Sequence, residues 1–204
     1  MKIALPDLIS NSYFPAAAAV ELGFFKAEGV TISPVPGTQG AGVNFGVTAA
    51  KALEEGKIDG FWANGMGTEV AVRRGVGDIV IDVRRGDGPK ACFNYTMASI
   101  ATTDALIARA PEQAAAVIRA ITKTQAALKQ DVTRATSVGR KLFPPAEAEL
   151  IAELIRRDLP HYSPVISEAL VVGMNGFARD LGILKGEPRY RDVVATPFVD
   201  LWSA

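Results

Sequence analysis

The sequence predicts an α/β fold: a mostly parallel sheet of about five strands with helices on both faces, followed by a helix-rich C-terminal half. Three observations predict it. Helix-like segments end at Gly29, Gly56 and Gly75, and a strand-like run follows each glycine. Strand and helix patterns alternate four times within the first ninety residues. From Asp104 onward the apolar spacing is helical almost throughout.

Taken in order, Lys2–Leu5 reads as a short buried strand and Pro6–Tyr13 as a loop. Pro15 to Lys26 reads as a helix, since proline suits a first helical position and Ser12 can cap it. Ala18, Leu22 and Phe25 share its core face. Val30–Val35 is the second strand, with Pro34 placing it near an edge. The loop Pro36–Gly42 leads into a helix from about Val43 to Glu55. Asp59–Trp62 then forms a strand that breaks at Asn64-Gly65 and turns into a helix ending at Arg74. Asp78–Val83 is a fourth strand and Phe93–Ala101 a fifth. Helices follow at Asp104, at Pro111 to about Lys129, at Asp131–Leu142, from Pro144-Pro145 to Arg157, and at Ser167–Leu181. Residues 1–101 form the α/β sheet portion and 102–204 a helical portion packing on the same lobe, one domain overall.

Composition is that of a globular protein, with 49% hydrophobic and 22% charged residues. Lys+Arg and Asp+Glu are both 22, so nothing electrostatic points to nucleic acid or an anionic membrane surface. Cys92 is the single cysteine, so no intrachain disulfide forms. No apolar run approaches the ~20 residues of a membrane span. Met1-Lys2 runs directly into strand-like sequence without a signal peptide.

Chemistry-bearing motifs are sparse. The only histidine, His161, lies in a proline-flanked loop with no cysteine nearby and no Gly-x-Ser-x-Gly elbow elsewhere. No His/Cys/Asp cluster has metal spacing, and no cofactor is implied. Asp82 and Asp87 flank a loop as ordinary polar residues. Gly40-Ala41-Gly42 to Gly46 is a loose dinucleotide fingerprint, but no acid tips the following strand to hold a ribose. A helix start beside Thr38 and Gln39 suits an anion or polar group better.

Two further stretches stand out. Ser10, Asn11, Ser12 and Tyr13 precede a helix start, either as a cap with Phe14 stapling it or as a hydrogen-bonding rim around a ligand. Phe61 and Trp62 face opposite sides of a strand, so one is core and the other is free to line a pocket beside Asn64. In a parallel sheet these three loops emerge at one carboxyl edge, where ligands bind. The candidate contacts are therefore Ser10, Asn11, Ser12, Tyr13, Thr38, Gln39, Trp62 and Asn64.

Three segments carry a resemblance. FPAAAAVELGFFKAEGVTIS (residues 14–33) has Pro15, Glu21, Gly23, Phe24, Phe25, Glu28 and Gly29 in the pattern of a proline-started helix followed by E-x-G-F-F-x-x-E-G-x. ALEEGKIDGFWANGMGTEVAVRRG (52–75) and ATTDALIARAPEQAAAVIRAITKTQAAL (101–128) supply the other two. Together they resemble substrate-binding proteins of ABC transporters, in the nitrate/sulfonate/taurine group that includes thiamine-precursor binders. The resemblance implies a type II periplasmic-binding-protein fold. It departs from the family in length, because opening-lobe sequence up to about Gly29 is followed at once by second-lobe-like sequence. A single lobe is expected, with Phe93–Ala101 antiparallel between the third and fourth strands.

The resemblance implies binding of a small organic or anionic solute for an ABC permease, periplasmic location, and no bond chemistry. A cytoplasmic location is equally compatible with the lack of a leader. A single lobe encloses a solute poorly, and pairing of two chains would complete the cleft. The alternatives are a pyrimidine-synthase-like enzyme on the same fold, a nucleotide-binding oxidoreductase, and a lobe that binds nothing.

Overall fold

Helices carry almost all of the regular structure in the computed structural model, which describes residues 1–5, 10–36, 45–83, 86–88 and 98–203. In order these are β1 (Lys2–Leu5), α1 (Phe14–Glu21), α2 (Phe24–Ala27), β2 (Ser33–Pro36), α3 (Phe45–Glu54), α4 (Gly65–Arg73), α5 (Asp104–Arg109) and α6 (Pro111–Gln130). Then come α7 (Thr133–Leu142), α8 (Pro145–Asp158), α9 (Glu168–Asp180) and α10 (Tyr190–Val193). Short 3₁₀ turns cover Leu159–His161 and Thr196–Ser203.

The fold is thus mostly helical, and the α/β parallel sheet predicted from the sequence is not formed. Among the described residues the only ladder is β1 with β2, parallel, pairing Lys2 with Ser33 through Leu5 with Pro36. One of its two edges is closed to a further strand. The Ser33 N–H donates back to the Met1 carbonyl at 3.0 Å, so the backbone of Ser33 faces β1. Positions 34 and 36 are prolines, so they place no N–H on the outer edge of β2. Phe61–Trp62 and Asp78–Val83 join neither edge and run as irregular chain. In the second of these, Val80 is 87% exposed, as an unpaired segment leaves it. The expected fifth strand, Phe93–Ala101, falls mainly outside the described residues.

The helices follow the apolar spacing closely. Where one helix was expected from Pro15 to Lys26 there are two, because Gly23 adopts φ 77° between α1 and α2. Twenty residues long, α6 is the spine, burying Ala114–Val117, Ala120, Ala127 and Leu128. On one side α1, α2 and the segment before β2 pack against it through Ala19, Phe25, Val30 and Ile32. A larger core joins α1, α3, α4, α7 and α8 around Phe14, Met66, Val138, Ile151, Leu154 and Ile155. Phe14 meets Phe143 edge-to-face at 6.0 Å. Two glycines permit the close crossings. A Cβ on Gly67 of α4 would lie 2.3 Å from the Gly46 backbone of α3, and one on Gly139 of α7 would lie 2.5 Å from Ile151 of α8. The tail returns to α6, with Phe198 buried against Ala114 and Ala115.

Candidate functional site

The turn entering α1, the start of α4 and the end of α8 meet at one place. Ser10 and Asn11 are buried there, 1% and 5% exposed. The Ser10 hydroxyl accepts from the Ser12 backbone N–H at 3.2 Å, a local hydrogen bond that tightens the turn. Ser12 itself does not cap α1; Tyr13 stands at that position with no side-chain cap. The first residue of α1, Phe14, is fully buried and anchors the turn in the core.

Asn64 caps α4, its Oδ1 accepting from the Met66 N–H at 3.1 Å. That leaves its amide nitrogen to donate to Ser10 Oγ at 3.4 Å, across 54 residues of sequence. Asn11 donates from Nδ2 to Asp158 Oδ2 at 2.6 Å. Asp158 is 8% exposed and closes α8. An acid in the last turn of a helix opposes the helix dipole, so local preference does not account for it. Four residues on, the Tyr162 hydroxyl is buried. Burial, and then the charge of Asp158, push the phenol well above the ordinary tyrosine value, so it stays protonated.

Two atoms of this group, Asn11 Oδ1 and Tyr162 OH, have no hydrogen-bond partner among the described residues although both are buried. Such capacity left over costs about 1–3 kcal/mol per group when nothing meets it. What the group leaves unbonded is one amide oxygen and one phenol hydroxyl, beside the Asp158 carboxylate. Among the described residues no cluster of His, Cys, Asp or Glu could hold a metal ion. His161 lies on the 3₁₀ turn between Asp158 and Tyr162 and is exposed.

The remaining predicted contacts are placed as follows. Ser12 and Tyr13 are half-buried beside Asn11. Phe61 packs on the core, while Trp62 turns outward and is 79% exposed. Thr38 and Gln39 lie outside the described residues. Asp87 bonds the Asp82 backbone N–H at 2.9 Å within its own loop. Asp158 and Tyr162 went unnoticed in the sequence. The signal that would have found Asp158 is its position, an acid placed against the dipole of a helix end.

Next to the group lies a second polar junction. Glu69 of α4, 5% exposed, receives Arg73 Nε at 2.8 Å and Arg157 Nη2 at 2.5 Å. Burial alone would raise its carboxyl; the hydrogen bonds from Arg73 and Arg157, with their charges, outweigh it and hold the carboxyl below its ordinary value. Elsewhere, an open groove of about 710 Å³ runs beside α9, lined by Val171, Val172, Asn175, Tyr190, Arg191 and Val199 among others. None of the predicted site residues lines it. No helix among the described residues is long and apolar enough to cross a membrane.

Comparison of the chain with family models, curated proteins and solved structures returns no match.

Proposed function

We propose that the chain binds a small polar organic solute where Ser10, Asn11 and Asn64 converge on Asp158 and Tyr162, and that it performs no bond chemistry. The observation that carries this reading is the pair of buried, unpartnered acceptor and hydroxyl atoms, Asn11 Oδ1 and Tyr162 OH, inside an otherwise bonded polar group. Buried polar groups are nearly always satisfied, and each exception calls for an explanation, a missing partner among them; Thr122 Oγ1 and Gln125 Oε1 of α6 are unpartnered too, but stand outside a bonded polar group. Trp62, two residues from Asn64, offers an indole face for an aromatic or apolar part of the solute. The importer setting, with an ABC permease as partner and a periplasmic location, rests on the resemblance of residues 14–33, 52–75 and 101–128.

Thermal-shift titration against sulfonates, nitrate, aromatic acids, pyrimidines and NAD(P) tests it. A solute at about 100 times its dissociation constant stabilises by about 2.7 kcal/mol, which raises Tm by roughly 5–10 °C in a chain of this size. The expected result is such a rise for one organic class, reduced in Asn11→Ala and in Tyr162→Phe. Stabilisation by NAD(P) alone, or by nothing in the panel, overturns the reading.

A further inference from the structure

Beyond the solute site, the surface of α9 is built the wrong way round for a helix that faces water. The α9 helix buries only Val171, and its packing within the chain is chiefly on α10. Its outward face should be polar. Instead Ala169, Val172 and Gly176 share one face at helical spacing, and Val165 and Ile183 lie in the chain just beyond the two helix ends. Val165, Val172 and Ile183 are 48%, 66% and 75% exposed. Gly176 has open space where a Cβ would stand, so another backbone can approach closely there.

The charges beside this line identify what covers it. Glu168 opens α9 and Arg179 nearly closes it, and neither forms an ion pair within the described residues. A parallel copy of the same helix would set Glu168 on Glu168 and Arg179 on Arg179. An antiparallel copy sets each Glu168 on the other chain's Arg179. The same register brings Val172 opposite Asn175 and Gly176. The surface is therefore complementary to itself, as a two-fold contact requires.

We propose that two copies of this chain associate through α9, antiparallel, on a two-fold axis passing between Gly173 and Met174. A thirteen-residue helix is only about 20 Å long. The contact is therefore at the small end of specific interfaces, among the weak and transient ones.

Sedimentation velocity on the full chain from roughly 1 to 200 µM tests this, a range spanning micromolar dissociation constants. The expected result is a concentration-dependent monomer–dimer equilibrium. Glu168→Lys and Arg179→Glu, each alone, weaken it about tenfold, and the two together restore it to within about threefold. Far-UV circular dichroism confirms that each variant is folded. A monomer at every concentration overturns the proposal, as does a monomer that instead co-sediments with phosphatidylcholine vesicles. Failure of the double exchange to restore association overturns the antiparallel register. None of these substitutions touches the solute site, so the thermal-shift responses of wild type and variants remain alike whichever way the association falls.

Discussion

Arg157 and Asp158 are consecutive residues at the end of α8, yet the fold uses them in opposite ways. Arg157 reaches Glu69, whose two carboxylate oxygens are both occupied, one by Arg157 and one by Arg73. Asp158 reaches Asn11, and around that bond an amide oxygen and a phenol hydroxyl are left over. A polar network with every member bonded fixes the packing of α4 on α8. A network with bonding capacity to spare is a poor structural device, and a chain keeps one where something else must bind. On the proposed reading, two residues one peptide apart separate holding the fold from holding a solute.

The largest break in this contrast comes from Gly67→Ala. The added methyl meets the Gly46 backbone, which no side-chain rotation relieves, so α4 must move off α3. Overpacking of this kind costs about 3 kcal/mol. Because Asn64 caps α4 and bonds Ser10 from there, both networks shift together, and urea titration and solute response fall in the same variant. Glu69→Ala comes next and touches one side only. It strands Arg157 and Arg73, but both arginines are partly exposed, so the loss is about 1–3 kcal/mol and not the full cost of a buried charge. Its solute response stays at the wild-type level once thermal shifts are referred to its own Tm. A lost response places Arg157 and Glu69 in the binding network and erases the contrast.

Acid provides a milder probe of the same junction. Glu69 and Glu28 both titrate below the ordinary value of 4.5. At Glu28 the hydrogen bonds from Arg119, at 2.6 Å, and from Lys123 are responsible. A depressed folded value means that the stabilisation is complete above the ordinary value and is lost as pH falls through the lowered one. Stability measured by urea denaturation therefore declines as pH falls below the ordinary value of 4.5. In Glu69→Gln the decline is shallower, because one of the lowered carboxylates, among them Glu55, Asp131 and Asp192 as well, no longer titrates. An unchanged slope shows that the Glu69 carboxylate is no more stabilised folded than unfolded.

How much of this was legible in the sequence divides along the same physical lines. The helices were, since α3, α4 and α6 to α8 bury residues at the spacing that the apolar pattern sets, while α9 forms where expected but buries only Val171. The sheet was not. Period and glycine punctuation at Phe61–Trp62 and Asp78–Val83 describe strands that are willing to form, but a strand exists only if a neighbour can bond it. The prolines at 34 and 36 close one edge of the pair, which is visible only once Ser33 is known to face β1, and the local pattern says nothing of whether a strand reaches the other edge. At the site, Ser10, Asn11 and Asn64 were legible as polar residues around helix starts. Their meeting with Asp158 and Tyr162 was not, because Asn11 and Asp158 are 147 residues apart and nothing local links them.

The smallest effect on stability is the sharpest test of the contrast. Tyr162→Phe removes one oxygen that is buried and unpartnered and leaves the ring packed on the core. A hydroxyl without a bond in the folded protein loses its hydration on folding and gains nothing back. Its removal is therefore neutral or stabilising by up to about 1 kcal/mol, where loss of a bonded tyrosine hydroxyl would destabilise by a similar amount. On the proposed reading the solute response moves the other way and weakens, since Tyr162 can no longer bond the solute. The phenol of Tyr190, which donates to the Ile166 carbonyl at 2.5 Å, is the control. Tyr190→Phe loses a made bond and destabilises without changing the solute response. If Tyr162→Phe destabilises as Tyr190→Phe does, its hydroxyl is bonded within the protein, and Asp158 belongs with Arg157 on the structural side.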